Sequence, residues 1–248
     1  MNKEKLKKPV RWENYNDQLR RNKFGSGYKH KHPILFDYHY FNKDEKEEFL
    51  KQYIDPDMYW AEKNNELDFV VEEPSWEVYK FPLITKELSN MIIEEVEHFN
   101  EWVGPKEGPN YYIAYGTTDT FLEAIPGTRN DDDKPLEELY QSIEKKYIKS
   151  VIKHVWKYNA GYYPASRVLK YEKNKQEFLR PHHDDTICTS VLSLNDNYKG
   201  GGTWFERQKF TVNPKAGWCS LHPAKLTHRH AGKRVTEGKR YIIVTFIS

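Results

Sequence analysis

The sequence predicts an α+β protein with a mainly β core, a barrel or two-sheet jelly roll buttressed by N-terminal helices. Three observations lead there. Before residue 165 the apolar residues recur at helical spacing; after it they fall into short runs punctuated by glycine and proline. The chain also holds 7 Trp, 18 Tyr and 12 Phe among 248 residues, enough large side chains to fill a core despite a charged fraction of 31%.

The first helical pattern runs from Asn42 to Tyr53, with Phe49, Leu50 and Tyr53 at helical spacing and Asn42 or Asp44 placed to cap it. From Thr85 to Trp102, Leu88, Met91, Ile92, Val96 and Phe99 share a face, with Thr85 at the N-cap and Gly104 ending the pattern. Pro135 to Tyr158 carries the stripe Leu136, Leu139, Ile143, Tyr147 and Val151. The acidic run Asp131, Asp132 and Asp133 precedes it, where negative charge meets the positive end of a helix dipole, and Gly161 follows it. Strands are expected at Val168 to Tyr171, Cys188 to Leu194, Thr203 to Phe205, Trp218 to Leu221 and Tyr241 to Ile247, turned by Gly200-Gly201-Gly202 and by Asn213 to Gly217.

This texture predicts one domain over 33–248, with helix-rich support in 33–165 and the β core in about 166–248. Residues 1–32 carry ten Lys or Arg against three acids and read as a basic, flexible N-terminal segment, more a solvated tail than a contact arm. Over the whole chain 39 Lys and Arg face 37 Asp and Glu, so no overall field favours nucleic acid or an anionic membrane. No apolar run approaches the roughly 20 residues of a membrane span. The N-terminus also lacks the apolar stretch of a secretory signal, so a complete chain of this kind is expected to be soluble and cytoplasmic. Cys188 and Cys219 are too few for a disulfide framework or a thiolate zinc site, so a metal would have to be held by histidine and carboxylate.

LRPHHDD at 179–185 offers such ligands, in two registers: His182 with Asp184, or His183 with Asp185. In extended backbone residues i and i+2 point to one side, so either register aims an imidazole and a carboxylate at one point. A polar loop before a strand would look the same. The C-terminal stretch supplies His222, His228 and His230, any of which completes two imidazoles and one carboxylate. That facial triad leaves open metal positions and marks non-haem Fe(II) oxygenases. Arg240, ten residues beyond His230, is placed to pair with the far carboxylate of a keto acid that chelates the metal.

LRPHHD, then the three glycines followed by TWF, then AGWCSLHPAKLTHRHAG and finally GKRYIIVTFIS resemble the catalytic domain of the procollagen-lysine hydroxylases. WEVYKFPLITKELSNMIIEEVEHFNEWVG at 76–104 is similar to the segment preceding the core in that family, so the resemblance spans about residues 75–248. It implies a double-stranded β-helix and an Fe(II)- and 2-oxoglutarate-dependent dioxygenase that also uses ascorbate. It selects the first register: His182, Asp184 and His230 as iron ligands, Arg240 binding 2-oxoglutarate, and Tyr171 contacting the same co-substrate. His183 and Asp185 become neighbours.

The implied substrate is a lysyl residue in a collagen-like or other peptide, with succinate and carbon dioxide released. Asp119, Glu123 and Trp204 are the candidates for holding its ammonium, by acid or by aromatic face. Prolyl or small-amine hydroxylation and a non-catalytic scaffold are the rival readings. A homodimer is implied by the family, as is the endoplasmic reticulum if the chain is a fragment. Two departures stand out. Val191 lies where the family places an asparagine near 2-oxoglutarate, and NYYIAYGTTDTFLEAIP lacks a family arginine.

Overall fold

The computed structural model describes residues 28–104, 117–127, 133–161 and 165–248. The helical face begins with α1 (Ile34–Asp37), α2 (Lys43–Tyr53) and α3 (Pro56–Asn64). Asn42 caps α2 in a full capping box: its side chain accepts from the backbone of Asp44 and Glu45, while Glu45 reaches back to the Asn42 N–H. Helix α4 (Lys86–Phe99) starts on Thr85 as expected but stops at Asn100, short of Trp102. Asn100 takes the left-handed conformation, φ 52°, which asparagine tolerates, and its N–H bonds the Val96 carbonyl.

The third helical stretch is continuous but uneven. Helix α5 (Pro135–Ile143) passes through a wide π turn, Glu144–Ile148, into α6 (Lys149–Trp156), and left-handed Lys157 ends it before Gly161. Lys134 occupies the N-cap and makes no side-chain capping bond. Of the acidic run, Asp133 accepts from the Tyr40 hydroxyl at 3.1 Å, and Asp131 and Asp132 lie outside the described residues.

Among the described residues thirteen strands build the rest. The major sheet has seven, in the order β1 (Glu72–Ser75), β2 (Val78–Pro82), β10 (Trp218–Pro223), β6 (Cys188–Ser193), β13 (Lys239–Ile247), β4 (Arg167–Glu172) and β3 (Asp119–Phe121). The minor sheet has four, β5 (Leu179–His182), β11 (His230–Gly232), β8 (Thr203–Phe205) and β9 (Phe210–Val212). A two-stranded sheet of β7 (Lys199–Gly200) and β12 (Val235–Glu237) flanks them. The two sheets form a double-stranded β-helix, as the α+β, mainly β expectation had it.

The division near residue 165 is not a division of the sheet. Strands β1, β2 and β3 come from the helix-rich part and supply three of the seven strands of the major sheet. Val78–Pro82 hides its strand character because four of its five residues are buried, leaving no polar alternation to read.

Strand alternation gives the major sheet two faces. Val168, Cys188, Leu192, Leu221, Ile243 and Ile247 turn to the helices and join Ile92, Val96, Leu136, Leu139 and Ile143 in the main core. Leu169, Tyr171, Val191, Ile242 and Val244 form a second apolar layer on the opposite face. Of the basic segment, residues 1–27 lie outside the described residues, whereas 28–32 dock on α4. There the buried Glu95 carboxylate accepts from Tyr28 Oη (3.2 Å), His30 Nδ1 (3.2 Å) and the His32 N–H (2.8 Å). Among the described residues no helix is long and apolar enough to cross a membrane.

Candidate active site

A cavity of about 560 Å³ lies on the second face of the major sheet, reached by side chains from both sheets. His182 ends β5, Asp184 follows two residues later, and His230 opens β11, directly opposite His182 in the strand pairing. Their ligand atoms all lie within 4.8 Å of one another, the one such cluster of three or more metal-binding side chains among the described residues. His182 Nε2 is 3.3 Å from Asp184 Oδ1, and His230 Nε2 is 3.5 Å from Asp184 Oδ2.

Backbone carbonyls fix both imidazoles. His182 Nδ1 is 2.7 Å from the Arg180 carbonyl and His230 Nδ1 is 2.9 Å from that of His228. A carbonyl only accepts, so both Nδ1 atoms carry a proton, and both Nε2 atoms turn toward the carboxylate. Thr189, on β6, donates its hydroxyl to Asp184 Oδ2 at 2.6 Å. Burial lowers the pKa of His230, which favours the neutral imidazole that metal ligation requires. Despite its own burial, the His182 hydrogen bond and the imidazoles of His230 and His222 hold the Asp184 carboxyl well below the usual range.

The other registers do not converge. His183 is exposed, and Asp185 pairs with Lys225 at 2.8 Å on the cavity rim. His222 is fully buried behind His230, ring centroids 4.7 Å apart, and its Nδ1 donates to the Pro223 carbonyl at 2.9 Å. Burial first, and then His230, push its pKa down to about 3. His228 is stacked on Trp76, and its Nε2 lies 3.2 Å from the Trp76 carbonyl.

Arg240 and Tyr171 are paired residues on β13 and β4, and both line the cavity. Arg240 is 1% exposed, its guanidinium stands 5.5 Å over the Tyr171 ring, and its Nε and Nη2 have no hydrogen-bond partner. A buried cation with unpaired donors demands an anion. Gly201, at φ +68°, makes the room: a Cβ there would stand 2.7 Å from the Tyr198 ring and 3.2 Å from Arg240 Cδ. Val191 adds an apolar wall.

Two of the three ammonium candidates are elsewhere. Glu123 does not line the cavity; it pairs with Lys134. Trp204 also stays out, because Thr203 lines the cavity and alternation turns the next side chain to the other face of β8. Asp119 does line it, 3% exposed, on β3. The residue set thus fits Fe(II) held by two imidazoles and a carboxylate, in a cavity where the unpaired donors of Arg240 suit an anion. Thr189, Gly201 and Arg167 are the cavity-shaping residues that sequence reasoning missed. Thr189 carried a signal, since it follows Asp184 on an expected strand and shares a face with Val191.

Comparison with known proteins agrees with this geometry. Residues 159–248 match the 2OG-Fe(II) oxygenase superfamily, and residues 25–123 match the OGFOD2-like domain. The multifunctional procollagen lysine hydroxylase and glycosyltransferase LH3 of Rattus norvegicus is 32% identical over 191 residues, 72% of this chain and 24% of that protein. The procollagen-lysine,2-oxoglutarate 5-dioxygenase 2 of Homo sapiens is 32% identical over 201 residues, 76% of this chain and 27% of that protein. The chain thus spans about a quarter of the length of these relatives. A prolyl hydroxylase from Trichoplax adhaerens, solved with a hypoxia inducible factor peptide fragment, shares the fold at a TM-score of 0.56 and 13% identity, over 80% of this chain and 94% of that one. Residues 159–248, which carry the His-Asp-His cluster and most of the strands of the double-stranded β-helix, are a domain of the 2OG-Fe(II) oxygenase superfamily, and most of the chain's length is similar to the procollagen-lysine dioxygenases.

Proposed function

We propose that residues 33–248 act as one Fe(II)- and 2-oxoglutarate-dependent dioxygenase domain that hydroxylates a lysyl residue in a peptide. The observation that carries this reading is the cavity itself, which holds both a three-ligand cluster and a buried, unpaired arginine. The similarity to procollagen-lysine dioxygenases supports the lysyl side chain and a collagen-like peptide. Fe(II) with 2-oxoglutarate supplies the activation of dioxygen and the oxidation of an unactivated C–H bond, the co-substrate leaving as succinate and carbon dioxide.

The chain's own residues do the rest. His182, Asp184 and His230 would hold the metal through two Nε2 atoms and one carboxylate, the donor set that non-haem Fe(II) oxygenases use. Arg240 binds the far carboxylate of 2-oxoglutarate, and the Tyr171 ring beneath it keeps the guanidinium aimed into the cavity. Thr189 holds Asp184 against rotation, so the ligand is preorganised before the metal arrives. The apolar layer of Leu169, Val191, Ile242 and Val244 excludes water from the reacting centre.

Succinate release measured with Fe(II), ascorbate and blocked peptides containing lysine or proline tests the reading. Turnover stimulated by lysyl peptides alone is expected. Stimulation by prolyl peptides alone would move the substrate to proline, and no peptide-stimulated turnover would leave a scaffold.

A further inference from the structure

Asp119 and Arg167 are the two charged groups of the cavity that neither the metal cluster nor the co-substrate arginine uses, apart from those on its rim. Asp119 is 3% exposed and both of its backbone polar groups are occupied, bonded to Val103 at 2.8 Å each way. Its carboxylate accepts from Thr117 Oγ1 at 2.9 Å and has Arg167 Nη1 at 3.8 Å, beyond hydrogen-bond length. Burial raises the carboxyl's pKa. Arg167 is kept from closing that gap by its seat: its guanidinium carbon stands 4.8 Å over the Phe121 ring and 5.3 Å over the Phe246 ring, and its Nε is buried without a partner.

A fixed acceptor and a fixed donor, 3.8 Å apart and facing a cavity, are not suited to a lone ammonium. The ammonium would gain Asp119 but meet the charge of Arg167, so the ammonium-holding expectation for Asp119 gives way. They suit a neutral group that both donates and accepts. In extended backbone the N–H and C=O of one residue point the same way, and in a hydrogen-bonded antiparallel pair two facing residues exchange both bonds. Asp119 and Arg167 offer the same complement from side chains.

We propose that Asp119 and Arg167 form a two-point receptor for one backbone residue of an extended peptide substrate, Asp119 accepting its N–H and Arg167 donating to its C=O. The inference rests on the peptide-hydroxylase reading and makes these two the residues that select a peptide over a free amino acid.

The test is binding, not turnover. A blocked peptide of Pro-Lys-Gly triplets, and analogues with single backbone amides replaced by esters, are titrated into the Fe(II)- and 2-oxoglutarate-loaded protein without oxygen. Asp119→Asn and Arg167→Met are each expected to weaken peptide binding about tenfold or more, as loss of a charge-assisted bond does, with 2-oxoglutarate binding retained as the check on folding. Arg167→Lys serves as a second variant should Arg167→Met not fold. One ester position should weaken wild-type binding and cost nothing further in Asp119→Asn, as expected for groups in contact. Unchanged binding in the variants, tolerance of every ester, free lysine binding as tightly as the blocked peptide, or no peptide binding at all would each overturn the receptor. Intact peptide binding without hydroxylation would strike the activity reading and leave the receptor standing.

Discussion

Thr189 reaches from the major sheet to donate its hydroxyl to Asp184 at 2.6 Å, so a cluster otherwise carried by the minor sheet and the loop after β5 is braced from the sheet opposite. The two sheets are tied at the point where the ligands converge. Partners behind metal ligands typically govern metal affinity by 10- to 100-fold.

Replacing Thr189 with valine keeps the shape and removes the donor. Fe(II) affinity, read by anaerobic titration, should fall by about tenfold or more, while Thr189→Ser should keep most of it. Equal affinity in wild type and Thr189→Val would show that the brace is incidental.

Arg240→Ala should chiefly weaken 2-oxoglutarate, raising its KM while leaving the metal bound. An unchanged KM would contradict the pairing of Arg240 with the co-substrate.

Gly201→Ala acts on the same arginine from behind. A methyl group 3.2 Å from Arg240 Cδ, on backbone at φ +68°, forces either the arginine or the turn to move. Weaker 2-oxoglutarate binding with near-normal Fe(II) binding is expected from paired titrations of the two ligands. Loss of both in equal measure would point to a collapsed turn.

The buried acids Glu137 and Glu144 set a pH dependence of stability. Glu144 is fully buried; it accepts from Ser166 Oγ at 3.2 Å and from Thr245 Oγ1, and its Oε2 has no partner. Burial pushes the two carboxyls up from 4.5, to about 7 for Glu137 and about 8 for Glu144. The folded state therefore binds their protons more tightly than the unfolded state. Their contribution is complete below about pH 4.5 and is lost as pH rises towards 8. Thermal unfolding followed from pH 5 to 8.5 should show Glu144→Gln losing less stability than wild type. Parallel curves would exclude Glu144 as a source.

Much of this was legible in the sequence for a physical reason. The helices α2 and α4 announce themselves through caps and apolar stripes, and the late strands through runs punctuated by glycine. His-x-Asp carried two readings because strand geometry serves either register; burial separates them, hiding Asp184 and leaving His183 exposed. Trp204 faces away from the cavity, because the flanking Thr203 and Phe205 take the buried face of β8. Asp119 was singled out, but its pairing with Arg167 was beyond reach, since that meeting depends on the register of β3 against β4 and on two phenylalanine rings distant in sequence.

The most direct measurement is the Fe(II) content of the purified protein after anaerobic loading, compared across single alanine variants of His182, His183, Asp184, His222, His228 and His230. The account predicts one Fe(II) per chain in wild type and His183→Ala, and none in His182→Ala, Asp184→Ala or His230→Ala. Metal lost from His183→Ala but kept by His182→Ala, or kept by His230→Ala while lost from the His222 or His228 variant, would contradict it.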